Sequence, residues 1–106
     1  HVLMSGPPGS GKSLLVRSFP SILPAFSHEE LLEVLRIYSV TGKTLEHLNV
    51  HRPFRRVHSQ CTAYGLIGGG PRLMPGEVSL AHRGVLFMDE FPEFPRTTLE
   101  ALRTPL

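Results

Sequence analysis

GPPGSGKS, residues 6–13, lies between a short apolar run, HVLMS at 1–5, and a stretch with helical spacing, GKSLLVRSF at 11–19. Gly6, Gly11, Lys12 and Ser13 satisfy the spacing G-x-x-x-x-G-K-[ST] at each required position. Each residue type there has a physical task. Glycine lets the backbone turn so tightly that successive N–H groups point inward at phosphate oxygens. Gly11 opens a helix whose N-terminal partial charge favours an anion. Lys12 carries a mobile positive charge to β- and γ-phosphates, and the Ser13 hydroxyl suits a magnesium ion. Gly6, Pro7, Pro8, Gly9, Ser10, Gly11, Lys12, Ser13 and Leu14 are therefore the expected nucleotide contacts.

Working outward, residues 1–5 read as a buried parallel strand and 11–19 as a helix stopped by Pro20 and Pro24. The clearest helix is 27–40, where Ser27 and Glu30 have capping-box spacing and Leu31, Leu32, Leu35 and Tyr38 form an apolar stripe. Residues 41–71 are irregular. Within them 52–58 reads as an edge strand, since Pro53 is tolerable only near its start, and 62–68 as a short helix. Residues 76–84 alternate as a hairpin or extended segment would. A second continuous apolar run at 84–90 ends in two acids. Residues 97–103 close as a helix, with Thr97 and Glu100 in capping-box spacing. Strand, helix and strand in that order argue for the α/β class.

The two acids supply the second half of a nucleotide site. A strand ending in Asp89 places a carboxylate where it can ligate magnesium or orient the ion's waters. Glu90 is the natural group to polarise an attacking water, the step that separates an ATPase from a binder. No N-K-x-D guanine-reading element occurs, which favours ATP over GTP. The assignments are thus Lys12 and Glu90 as catalytic, and Ser13 and Asp89 as metal-binding.

Composition limits the alternatives. The chain has 106 residues, 41% of them hydrophobic and 19% charged, room for one small domain. No apolar run reaches the about 20 residues of a membrane span, and no signal-peptide pattern is present. A single cysteine, Cys61, cannot form an intrachain disulfide, which fits a reducing, cytoplasmic setting. The net charge of +2 is too small to argue for nucleic acid by itself. The sequence also reads as cut at both ends: it begins in a strand pattern and stops directly after a helical one.

GPPGSGKS, RPFR, GGG, PGEVSLAHRGVLFMDEFPEF and LEALRTPL together resemble the AAA+ ATPase domain of the magnesium-chelatase type, in the branch containing ComM and YifB. The resemblance covers nearly the whole chain, and residues 75–94 are also similar to the MCM helicases of the same clade. It implies a P-loop NTPase fold, three layers α/β/α around a parallel sheet ordered 5-1-4-3-2. Residues 6–13 become the Walker A loop and Asp89 and Glu90 the Walker B pair. It places family strand one at 2–5, two at 53–57 and three at 85–88. The chain would then be the N-terminal part, 1–106, of an AAA+ core domain, truncated before strand four, without sensor, arginine finger or lid. Strands one and three would face each other across about twice the 4.8 Å inter-strand spacing, and the segment alone would turn over little or nothing. The resemblance further implies ATP and Mg²⁺ as ligands and a homo-oligomeric ring, usually a hexamer. DNA recombination or branch migration is the work of the ComM-like branch, and metal insertion into a porphyrin that of the chelatases. The DEFPEF run favours the former. The family pattern R-x-P-H-H is met here by Arg55, Arg56, Val57, His58 and Ser59, which keeps one of two histidines.

Weaker signals remain. HRPFRRVH at 51–58 interleaves three arginines and two histidines with Phe54, a pattern of either a solvated strand edge or a nucleic-acid surface. Arg72 and Arg83 flank a hairpin that, by the resemblance, would line a ring's pore. His47 and His51 have i,i+4 spacing, but no Cys or further carboxylate converges on them, so they are not read as a metal site.

Overall fold

The computed structural model describes residues 1–42 and 51–105. The elements run α1 (Lys12–Arg17), α2 (Phe19–Ile22), α3 (His28–Val40), β1 (Phe54–Val57), α4 (Ala63–Ile67), β2 (Gly68–Gly69), β3 (Met74–Pro75), α5 (Glu77–Leu80), β4 (Val85–Met88) and α6 (Arg96–Ala101). A single turn of 3₁₀ helix, Phe91–Glu93, separates β4 from α6.

β1 and β4 pair in parallel, Phe54 opposite Val85 and Val57 opposite Met88. The pairing is framed by Val85 N–H donating to Pro53 O at 2.8 Å and Asp89 N–H donating to Val57 O at 3.2 Å. The strands approach so closely at Gly84 that a Cβ there would lie 2.1 Å from the Pro53 carbonyl oxygen. Only glycine fits that crossing. Both strands fall where the sequence places them, and among the described residues β1 has β4 as its one neighbour, as an edge strand should.

Two small cores flank this pair. Val57, Leu66, Phe94 and Leu102 form one, with Leu86, Met88 and Leu99 packed against it. Val34, Tyr38 and Leu80 form the other, with Phe26 and Ile37 beside them. Each fully buried Val34 or Leu66 side chain contributes about 1.5–3 kcal/mol. Helix α3 carries both halves of its capping box: Glu30 N–H donates to Ser27 Oγ at 3.2 Å and Ser27 N–H to Glu30 Oε2 at 3.0 Å. Its inward face centres on Val34 and Tyr38, while Leu32 of the expected stripe points outward. The Tyr38 hydroxyl donates to Leu80 O at 2.9 Å, joining α3 to α5.

Four expectations need correction. Residues 1–5 form no strand, and Val2 and Leu3 are 74% and 85% exposed. A parallel strand takes its stability from neighbours on its ladder. No described strand lies on a ladder with these residues. Pro20 does not simply stop a helix: α1 ends at Arg17 and Pro20 sits in the first turn of α2, where its missing N–H costs nothing. Residues 77–80 are helical, α5, rather than hairpin; the hairpin is β2–β3, with Gly68 opposite Pro75. Finally, α6 starts at Arg96 behind Pro95 with no side-chain cap, so Thr97 and Glu100 form no capping box.

Candidate functional site

The glycine-rich loop closes around its own lysine. Lys12 Nζ donates to Gly6 O at 2.6 Å, Pro7 O at 2.8 Å and Ser10 Oγ at 3.3 Å. Ser10 N–H turns back to Pro7 O at 3.3 Å, and Leu15 N–H donates to Gly11 O at 3.0 Å, the first bond of α1. Gly9 and Gly11 adopt φ of 77° and 85°, the left-handed region that side chains disfavour. Ser13 follows Lys12 in the first turn and is half-buried, whereas Leu14 faces outward. This arrangement holds an ammonium between two carbonyl oxygens and a hydroxyl at a helix start, a place that an anion's oxygens can take.

At the other end, β4 delivers Asp89 beyond its last ladder residue. Arg56 Nη2 donates to Asp89 Oδ2 at 2.5 Å, and Glu90 N–H donates to Asp89 Oδ1 at 3.1 Å. Glu90 itself stands at φ 54°, ψ 48°, a left-handed conformation that costs a non-glycine residue about 1–2 kcal/mol. Its carbonyl accepts from Glu93 N–H at 2.8 Å, and Phe91 and Phe94 rings lie 6.4 Å apart just beyond. The Glu90 carboxylate is exposed and has no ion-pair partner among the described residues. Asp89 and Glu90 are thus brought together, as are Gly6 to Leu14. The two groups are not joined to each other: among the described residues no hydrogen bond or ion pair links 1–18 with 85–90.

Sequence reasoning missed what the three arginines of 51–58 do. Arg52 donates to the carbonyls of Pro24, Ala25 and Arg83 and to both Glu30 oxygens, with its guanidinium 4.8 Å from the Phe26 ring centroid. Arg55 grips Glu77 of α5 bidentately, at 2.5 and 2.8 Å. Arg56 takes Asp89. None presents an unengaged guanidinium, and Phe54 stacks on Phe87 with ring centroids 6.2 Å apart. One signal was available: parallel pairing sets Arg56 opposite Phe87, and Asp89, two residues on, shares that face.

The electrostatics follow these contacts. Arg52, then the Ser27 backbone, hold the Glu30 carboxyl below its usual range. Arg83 and His82 pull Glu33 down to about 2. Burial pushes the Cys61 thiol up, away from the nucleophilic thiolate. His47 lies outside the described residues, and His51 is exposed. Among the described residues no three His, Cys, Asp or Glu side chains converge on a point that could hold a metal. Likewise no described helix is long and apolar enough to cross a membrane.

A parallel strand pair flanked by helices, a glycine-rich loop at a helix start and an acidic strand end define a mixed α/β chain. The chain belongs to the family described as magnesium chelatase, subunit ChlI, which matches residues 1–106 and is AAA+-like. It is 47% identical over 107 residues to YifB of Salmonella typhimurium and 46% identical over 107 to YifB of Escherichia coli. It is also 44% identical over 110 residues to the competence protein ComM of Haemophilus influenzae. Each of these matches covers the whole chain, which spans 21% of each relative's length.

Proposed function

We propose that this chain is the nucleotide-binding part of an AAA+ ATPase core with the P-loop NTPase fold. Residues 6–14 receive the phosphates of ATP, and Lys12 and Glu90 act in hydrolysis once the protein is complete and assembled as a ring. The observation that carries this reading is the Lys12 ammonium held inside the loop by Gly6 O and Pro7 O, at the start of α1. Ser13 and Asp89 offer a hydroxyl and a carboxylate, hard oxygen donors of the kind magnesium takes, so the residues fit that ion. Bound with the nucleotide, magnesium would neutralise charge on the β- and γ-phosphates. Glu90, exposed at the turn after β4, would orient the attacking water and accept its proton.

For the whole protein, work on DNA of the branch-migration kind, in the cytoplasm and by a homo-oligomeric ring, is the reading that the resemblance to the ComM-like branch implies, and similarity to a competence protein accords with it. The family's description supports a second reading, an ATPase that drives metal insertion. A nucleotide binder without turnover is a third outcome, and Glu90 decides it. The test is fluorescent-ATP binding and phosphate release by the full-length protein. Lys12→Ala is expected to lose binding, and Glu90→Gln to bind ATP normally while releasing no phosphate. Unchanged binding by Lys12→Ala would overturn the proposal. DNA-stimulated and porphyrin-stimulated phosphate release separate the two whole-protein readings.

A further inference from the structure

Asp89 is already occupied. Its Oδ2 accepts from Arg56 at 2.5 Å and its Oδ1 from Glu90 N–H at 3.1 Å, so both carboxylate oxygens are in use. The pair is half-buried, with side chains 34% and 25% exposed. A carboxylate neutralised by a guanidinium has little net charge left to attract a divalent cation. We propose that Arg56 competes with the metal: it occupies Asp89 Oδ2 and must withdraw before that oxygen can serve magnesium. This rests on the assignment of Asp89 made above.

The surroundings allow the exchange. Arg56 lies on β1, whose one neighbour among the described residues is β4, and its side chain reaches solvent, so it can leave by rotating without breaking the strand pair. No neighbouring arginine takes over, because Arg55 is committed to Glu77 and Arg52 to Glu30. The Oδ1 bond to Glu90 N–H uses the other oxygen, so the turn carrying Glu90 keeps its anchor while Oδ2 changes partner. The consequence is selective uptake. Free magnesium must displace Arg56 unaided, whereas magnesium carried on nucleotide phosphates has further ligands to set against that cost. Arg56 is therefore a positioning residue for Asp89 and a threshold on metal entry.

The test measures magnesium affinity, not turnover. Full-length protein is titrated with MgCl₂ at fixed fluorescent ATP, and separately with ATP in EDTA. Arg56→Gln is expected to tighten magnesium roughly 1.5- to fivefold, the span of a partly exposed ion pair, with ATP affinity in EDTA unchanged. Arg56→Met, which keeps the apolar stem, is held to the same expectation should the glutamine variant not fold. Arg56→Lys, which keeps the charge, should stay near wild type. Asp89→Asn should lose magnesium dependence, and Arg56→Gln combined with Asp89→Asn should match Asp89→Asn alone. Unchanged or weakened magnesium binding in Arg56→Gln overturns the inference while Asp89→Asn still behaves as a ligand loss. Should Asp89→Asn itself leave magnesium uptake intact, the metal assignment fails and takes this inference with it.

Discussion

Replacing Arg52 by alanine should loosen the junction of α3, β1 and the turn before β4, and the cost can be built from its contacts. The side chain is 10% exposed, and its guanidinium donates to three backbone carbonyls, Pro24 and Arg83 at 2.8 Å and Ala25 at 3.3 Å. Leaving three such carbonyls to whatever water can reach them costs roughly 0.5–1 kcal/mol each. The lost stack on Phe26 adds about 0.5–1 kcal/mol. The total is about 2–4 kcal/mol, with nothing added for Glu30, whose carboxylate water can solvate. Hydrogen exchange followed by mass spectrometry on the full-length protein reads this directly. Amides in 25–40 and 54–57 should lose protection by about 30- to 1,000-fold, at 1.4 kcal/mol per decade. Protection unchanged within threefold, together with weakened nucleic-acid binding, would refute the structural role and restore the reading of 51–58 as a binding surface.

Three further outcomes follow from the geometry. Tyr38→Phe removes the donor to Leu80 O and should destabilise by about 1–2 kcal/mol in a urea titration. Burial raises the Tyr38 phenol above 10, so its contribution is complete below that value and is lost as pH rises through the folded pKa; an alkaline melt of Tyr38→Phe should lack that component. Gly84→Ala drives a methyl into the Pro53 carbonyl and should part β1 from β4, at a cost of several kcal/mol visible as lost exchange protection at Val85 and Asp89. The Glu33 carboxyl, depressed from 4.5 to about 2 by Arg83 and His82, favours the fold above pH 4.5 and ceases to as pH falls toward 2. Glu33→Gln should flatten the acid limb of a stability profile in that window.

How far residues announced structure depended on whether their partners were local. Ser27 and Glu30 are three residues apart and signalled their capping box completely. The turn at Gly6 to Gly11 is equally local, and its left-handed glycines and the helix start at Lys12 fall where the motif spacing puts them. β1 and β4 were legible as apolar or edge runs, and their parallel pairing came from the resemblance. Residues 1–5 have strand composition but no strand, because composition cannot supply a neighbour to pair with. Alternation misled at 77–80, where Glu77 is drawn to Arg55 and Leu80 to Tyr38, contacts that a helical turn satisfies. Thr97 and Glu100 had cap spacing, yet Pro95, two residues earlier, is the N-cap. Arginine partners lie 22 to 33 positions away, so no local pattern marks them.

Time along the ribosome gives those arginines an earlier duty. β1 is synthesised about 30 residues ahead of β4, which at about 5–20 residues per second is a delay of roughly 1.5–6 s. During that interval Phe54 and Val57 belong to an unpaired strand, the kind of edge that recruits other chains. Arg55 and Arg56 stand on it before Glu77 and Asp89 exist, and two adjacent positive charges discourage such pairing. Once the acids emerge, the same side chains become the cross-links of the folded protein. A substitution that removes the charge of Arg56 gives up one partly exposed ion pair in the folded protein, so its larger effect would be aggregation of nascent chains during those seconds.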